Sequence, residues 1–206
     1  MAEPAGDSYL TLASESRYEL KIKGSAFIGL AYPAASEDQA LESLKQIKKK
    51  EHAATHHCFA YIIGYEKPTF KYSDDGEPSG TAGRPIYQAI VGRDLTDVLV
   101  IVVRYFGGVK LGTGGLTRAY AEAANEALDR APTVEKLICD RLRFTVPFAV
   151  YDQVRRIIER GRYTVVAQDF SDRVALEIDI RKSHTRQFIS QLTELTGGHL
   201  DLTRSG

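Results

Sequence analysis

The chain has no tryptophan, one methionine and two cysteines, and its 27 lysines and arginines are balanced by 27 aspartates and glutamates. Each shortage excludes something. Cys58 and Cys139 lie far apart and outside any C-x-x-C pair, which excludes a disulfide framework and points to reduced thiols and a cytoplasmic setting. A formal net charge of +0 supplies no global field toward nucleic acid, so any such contact has to be local. No apolar run approaches the ~20 residues that span a bilayer, and the opening MAEPAGDSYL has neither a basic n-region nor an apolar h-region, so neither membrane nor secretion is expected. Internal repeats and low-complexity tracts are absent as well. At 206 residues the chain exceeds the usual domain of roughly 100–150 residues and has room for two modest cores.

Glycine is plentiful, and much of it falls in two charge-bearing stretches, KYSDDGEPSGTAGRPI (Lys71–Ile86) and VIVVRYFGGVKLGTGGLTRAY (Val100–Tyr120). The unbroken apolar run Val98–Val103 predicts a strand buried on both faces, and it changes abruptly into Arg104, Tyr105, Phe106 and paired glycines. Gly107, Gly108, Gly112, Gly114 and Gly115 let backbone N–H groups approach a ligand or a neighbouring loop closely. Leu116, Tyr120, Ala123 and Ala127 then recur at helical spacing. Strand, glycine loop and helix N-terminus thus follow one another, and oriented N–H donors in such a place attract anions. Named nucleotide motifs do not fit. The P-loop lysine directly follows the last glycine, whereas Lys110 precedes Gly112; Gly112 and Gly114 supply G-x-G, but Thr117 stands where the third glycine belongs. No cofactor is expected.

Periodicity supplies the remaining elements. Tyr18–Lys23 and Ala26–Tyr32 read as strands around a bend at Gly24 and Ser25, and Ser36 with Gln39 forms a capping-box pattern ahead of a helix carrying Leu41, Leu44 and Ile47. His57–Ile63 reads as a strand and residues 64–83 as a long functional connection; Pro85 starts a short helix. A helix from about Gly115 ends near Ala131, before Pro132. Beyond it come a strand (Leu142–Val146), a helix terminated by Gly161, two strands (Tyr163–Ala167 and Val174–Ile180), a helix carrying Phe188, Ile189, Leu192 and Leu195, and a last strand at His199–Leu202. That βαββαβ order predicts a ferredoxin-like domain.

SDDGEPSGTAGRPI (73–86), VVRYFGGVKLGTGGLTRAY (102–120) and THHCFAY (55–61) are long and specific motifs, and on them the chain resembles the IMPACT/YigZ family. It departs at Ala26, where the family usually carries a basic residue. The resemblance implies an α+β protein of two domains. An IMPACT-type domain (16–134) with the ribosomal protein S5 domain 2-like fold is followed by the ferredoxin-like domain (138–206). The same two folds occur in this order in elongation factor G, where they face ribosomal RNA. Eukaryotic members are translational regulators that compete for the activator of a starvation-responsive kinase and carry an additional RWD domain. None is expected before the first strand here, so that role does not transfer directly. What the resemblance implies for the chain is a binding or regulatory role linked to translation.

Each candidate site has two readings. Arg104, Lys110 and Arg118 flank the glycine loop and, with Gly112, Thr113, Gly114 and Gly115, form a candidate nucleic-acid or anion site, with Tyr105 and Phe106 as stacking faces. The alternative is an Arg104 paired with an internal carboxylate and a Phe106 in the core. Asp74, Asp75 and Glu77 suit Mg²⁺, those arginines, or a solvated Asp-Asp-Gly turn; with Gly76, Gly80, Thr81, Gly83 and Arg84 they make up the motif loop. Strand alternation puts His56 and Cys58 on one face and His57 on the other, so burial is favoured over zinc, and Cys58 lacks an orienting partner as a nucleophile. No catalytic residue and no metal are assigned. The function expected first is non-catalytic association with RNA or the ribosome. A protein-interaction module in a translational stress pathway comes second, and an enzyme acting on a phosphorylated small molecule third.

Overall fold

A computed structural model describes residues 6–205. They divide into two units, Tyr9–Lys136 and residues 137–205 with residues 6–8. Along the first unit run β1 (Ser8–Leu12), β2 (Ser16–Ile22), β3 (Ser25–Pro33), α1 (Glu37–Lys50), β4 (His56–Ile63), β5 (Thr69–Ser73), α2 (Gly83–Val91), β6 (Val98–Tyr105), α3 (Gly112–Arg130) and β7 (Thr133–Leu137). Five of the strands form an antiparallel sheet in the order β2-β3-β6-β4-β5, while β1 pairs with β7 in a separate ribbon.

The central strand β6 is apolar throughout because both faces of the sheet are covered. Val98, Val100 and Val102 meet α2 and α3 together with Phe27, Ala31, Cys58 and Ala60; Leu99, Ile101 and Val103 meet α1 with Leu30, Phe59 and Tyr61. Fully burying a side chain of this size contributes roughly 1.5–3 kcal/mol, so these two layers dominate the stability of the unit. Helix α3 lies unusually near its sheet. A Cβ on Gly29 would stand 2.1 Å from the carbonyl oxygen of Ala123, and Ala119, Ala123 and Ala127 are fully buried along the helix face. The bend expected at Gly24 is a two-residue hairpin turn in which Lys23 and Gly24 both have positive φ, 47° and 82°. Ser36 caps α1 by accepting from the Gln39 N–H at 3.2 Å.

The connection expected at 64–83 is shorter than the sequence suggested, because β5 lies within it as an edge strand pairing with β4. All of its residues but Ser73 are exposed, so no buried run marked it. Helix α3 starts at Gly112, three residues before the position expected, so three of the loop glycines are helical.

The second unit contains β8 (Cys139–Val146), α4 (Phe148–Gly161), β9 (Thr164–Phe170), β10 (Val174–Arg181), α5 (Lys182–Leu195) and β11 (Asp201–Ser205). Its antiparallel sheet runs β11-β8-β10-β9, the ferredoxin-like arrangement, so the two-domain α+β fold is the one observed. Leu142, Phe144 and Val146 alternate inward against Val154, Ile158, Phe188 and Leu192. On the outward face Arg141 pairs with Asp179 at 2.7 Å and Arg143 with Glu177 at 2.9 Å. The left-handed residue that ends α4 is Arg162 (φ 54°), not Gly161; the Tyr163 ring lies over Gly161, where a Cβ would stand 2.2 Å from it.

Candidate functional site

The register of three strands sets up the site. Arg104 on β6 is opposite Phe27 on β3 and His56 on β4, so these three form one cross-strand row facing α3 at the end of the sheet. Arg104 is only 5% exposed. Its guanidinium lies between two rings, 5.3 Å from the Phe27 centroid and 5.4 Å from that of Phe106, a geometry favourable for a cation. Its counterion is Glu77, reached at 2.6 Å. Glu77 Oε1 also accepts the Tyr120 hydroxyl at 2.7 Å and stands 3.7 Å from His56 Nε2. The buried charge is therefore paired and hydrogen-bonded, as burial demands. Arg104 Nε is the exception, a buried donor with no acceptor, which costs about 1–3 kcal/mol.

The motif loop forms because Asp74 organises it. One carboxylate oxygen accepts the N–H groups of Ala82 and Gly83 at 2.9 and 2.8 Å and the other that of Gly80 at 2.8 Å. Burial by itself would raise the Asp74 carboxyl, but the Gly80, Gly83 and Ala82 donors outweigh it and hold it below the usual carboxylate range. Asp74 thereby caps α2 from outside the helix, and Gly83 carries no side chain because a Cβ would stand 2.8 Å from the backbone of Ser73. Asp75 accepts the His57 backbone N–H at 2.7 Å and Lys48 at 3.1 Å. Its carbonyl accepts His56 Nδ1–H at 2.8 Å, leaving Nε2 toward Glu77. Thr81 is buried and donates to the Pro78 carbonyl at 2.7 Å, whereas Arg84 is exposed on α2.

The acidic cluster therefore disperses. Asp74 goes to backbone amides, Asp75 to Lys48 and His57, and Glu77 to Arg104 and Tyr120. Of the two readings of Arg104, the internal ion pair is the one present, so Arg104 does not join Lys110 and Arg118 on an exposed face. Phe106, by contrast, is 47% exposed instead of lying in the core. His56 and Cys58 share a face, as alternation requires, and His57 is turned the other way to reach the Glu51 carbonyl. Cys58 is fully buried, donates to the Asp74 carbonyl at 3.0 Å, and has its thiol pushed up to about 12 by burial, which opposes thiolate formation.

The glycine loop is held at its first end only. Gly107 passes so near Gly24 that a Cβ would overlap it at 1.9 Å; its N–H donates to Ser25 Oγ at 3.1 Å and that of Phe106 to Thr55 Oγ1 at 3.1 Å. Beyond, Gly108–Lys110 and Gly112–Gly114 are exposed, and added side chains at Gly108, Gly112 and Gly114 would meet open space. Helix α3 begins at Gly112, and its N-cap Leu111 offers no side-chain cap, so the N–H groups of Gly112, Thr113 and Gly114 are left over from the helix ladder. Gly112 and Thr113 border a cleft of about 450 Å³ lined also by His56, Glu77, Pro78, Arg104, Phe106 and Lys110. Lys110 has no carboxylate partner among the described residues. Arg118 is exposed outside the lining and donates to the Gly114 carbonyl at 3.2 Å, and Gly115 packs against Leu111. Sequence reasoning missed Tyr120, taken only as part of the α3 apolar stripe; the signal was a hydroxyl in an alanine-rich face, which needs a buried acceptor.

A two-domain α+β chain whose first domain joins an aspartate-organised turn to an open glycine-rich helix start is a definite class of protein. Residues 23–128 match the model of the Impact N-terminal domain, and residues 144–199 match a domain of unknown function, DUF1949. The chain belongs to the IMPACT family. It is 34% identical to the IMPACT family member YvyE of Bacillus subtilis, covering 95% of this chain and 90% of the relative. It is 27% identical to the IMPACT family member YigZ of Escherichia coli, covering 95% and 97%. With the Protein IMPACT homolog of Saccharomyces cerevisiae it shares 31% identity over 53% of this chain and 43% of that protein. A solved structure described as that of a hypothetical protein superposes with a TM-score of 0.72 at 27% identity, over 96% of this chain and 97% of its own. Among the described residues no helix is long and apolar enough to cross a membrane.

Proposed function

We propose that the chain is a non-catalytic cytoplasmic binding protein linked to translation, associating with RNA, free or on the ribosome, through phosphate groups received at the start of α3. One observation carries this reading: two motif-borne helices begin side by side, and only one is closed. The N–H groups at the start of α2 are taken by the Asp74 carboxylate, whereas α3 starts without a side-chain cap and its Gly112 and Thr113 line a cleft beside the exposed Lys110. A helix start with free amides and an adjacent lysine is a ready anion site. Arg104 supports the site from below by holding Phe106 in place. The IMPACT resemblance supplies the link to translation.

The test is fluorescence anisotropy of a labelled single-stranded RNA titrated with the protein at several salt concentrations. Lys110→Ala is expected to weaken binding across sequences and to reduce the salt slope by about 0.7, the share of one phosphate contact on a single strand. Affinity weaker than millimolar at low salt, or no change on Lys110→Ala, overturns the reading. Ribosome retention that survives nuclease treatment would indicate a protein partner instead.

A further inference from the structure

We infer that the cleft at the start of α3 takes a nucleoside phosphomonoester, a single nucleotide ending in a terminal phosphate, with the phosphate on α3 and the base on Phe106. This deepens the anion-binding reading of the same cleft and rests on it.

Three independent features converge. The first is size. About 450 Å³ falls toward the lower end of the 300–1,000 Å³ usual for small-molecule sites, which is room for one nucleotide. The second is the donor set. Gly112, Thr113 and Lys110 line the cleft, and no described residue accepts from the Gly112 and Thr113 N–H groups, the Thr113 hydroxyl or the Lys110 ammonium. A phosphomonoester brings three terminal oxygens and a charge near −2, whereas an internal diester brings two oxygens and a single charge, so this set matches the end of a chain better than its middle. The third is Arg104, which lines the cleft, is 5% exposed and keeps an Nε–H with no acceptor.

The walls agree with a nucleoside. Phe106 is stacked on the Arg104 guanidinium and is 47% exposed, offering a ring to a base, and Leu111, Leu116 and Pro78 supply apolar surface for a sugar. The Glu77 carboxylate in the lining does not repel the phosphate as a free charge would, since Arg104 and Tyr120 already occupy Oε1.

The phosphate could belong to a free mononucleotide or to the end of an RNA, and the experiment separates the two. Calorimetric titrations with the full chain would compare a short oligoribonucleotide carrying a terminal phosphate at either end, the same oligonucleotide with hydroxyl ends, and a free nucleoside monophosphate. The phosphorylated end is expected to bind at least tenfold more tightly than the hydroxyl end. Thr113→Asp, at an exposed position in the lining, places a carboxylate in the first turn of α3 and is expected to abolish that difference while leaving thermal stability intact. Phe106→Ala is expected to weaken the phosphorylated oligonucleotide severalfold and leave binding of inorganic phosphate unchanged. Equal affinity for both ends, or a preference that survives Thr113→Asp, overturns the inference while RNA binding stands. Tight binding of the mononucleotide without binding of either oligonucleotide supports the inference and overturns the RNA reading. Binding of none of them overturns both.

Discussion

At Glu77 the Arg104 charge, the Tyr120 hydroxyl and the Nε2 edge of His56 all meet one carboxylate oxygen. Removing it leaves a guanidinium buried without a counterion. Glu77→Leu is therefore expected to destabilise the protein by about 3–5 kcal/mol in urea unfolding, whereas the double variant with Arg104→Met should recover a large part of that loss, because no uncompensated charge remains. A double variant as unstable as the single one would show that Arg104 is held by its rings and not by the ion pair. Thiol chemistry offers a second check at this scale. Cys139 is exposed and Cys58 is buried with its thiol raised, so a thiol reagent at pH 8 should modify one cysteine in the native protein and the second only after denaturation.

At the scale of elements, a carboxylate makes the difference between the two glycine-rich helix starts. The folded-state pKa of Asp74 is depressed, so its contribution to stability is fully present above the ordinary carboxyl range near 4 and is lost as the pH falls through the lower, folded value. Asp7 and Asp179 are lowered as well, the first chiefly by the Ser183 side chain and the second by Arg141, and they act in the same direction. Urea midpoints measured from pH 6 to pH 3 should fall, and less steeply in Asp74→Asn than in the parent. Packing sets the other limit. Gly29→Ala would push the backbone of α3 away from β3 and is expected to cost about 3 kcal/mol, the upper end of ordinary overpacking, with a matching loss of ligand binding at the helix start. Edge strand β5 went unread for an element-level reason: its Thr-Phe-Lys-Tyr-Ser alternation is real, but neither face is buried, so nothing distinguished it from the loop around it.

Across the whole molecule charge is neutral in sum, and part of it is tied up in ion pairs such as Arg93 with Asp129 and those of Arg141 and Arg143 on the second sheet. The cleft itself offers Lys110 and the start of α3, so few phosphates are neutralised there. Single strands give a salt slope of about −0.7 per neutralised phosphate, so RNA binding should show a slope no steeper than about −2, far from that of a protein with a basic face. A steep slope would mean that a larger basic surface carries binding and that the cleft is incidental.

Local information sufficed for most of the elements and for the α+β class, because hydrophobic period, glycine stops and capping residues act over a few positions: the βαββαβ order, the doubly buried β6 and the Ser36 cap were all legible. Whether Arg104 faces solvent or Glu77 was not encoded locally, since the answer depends on the β3-β6-β4 register and on the turn that Asp74 folds beneath α2, contacts between residues tens of positions apart. The same holds for the open start of α3. Only tertiary packing, which closes one helix end with a carboxylate and brings no such group to the other, decided where the chain presents free donors.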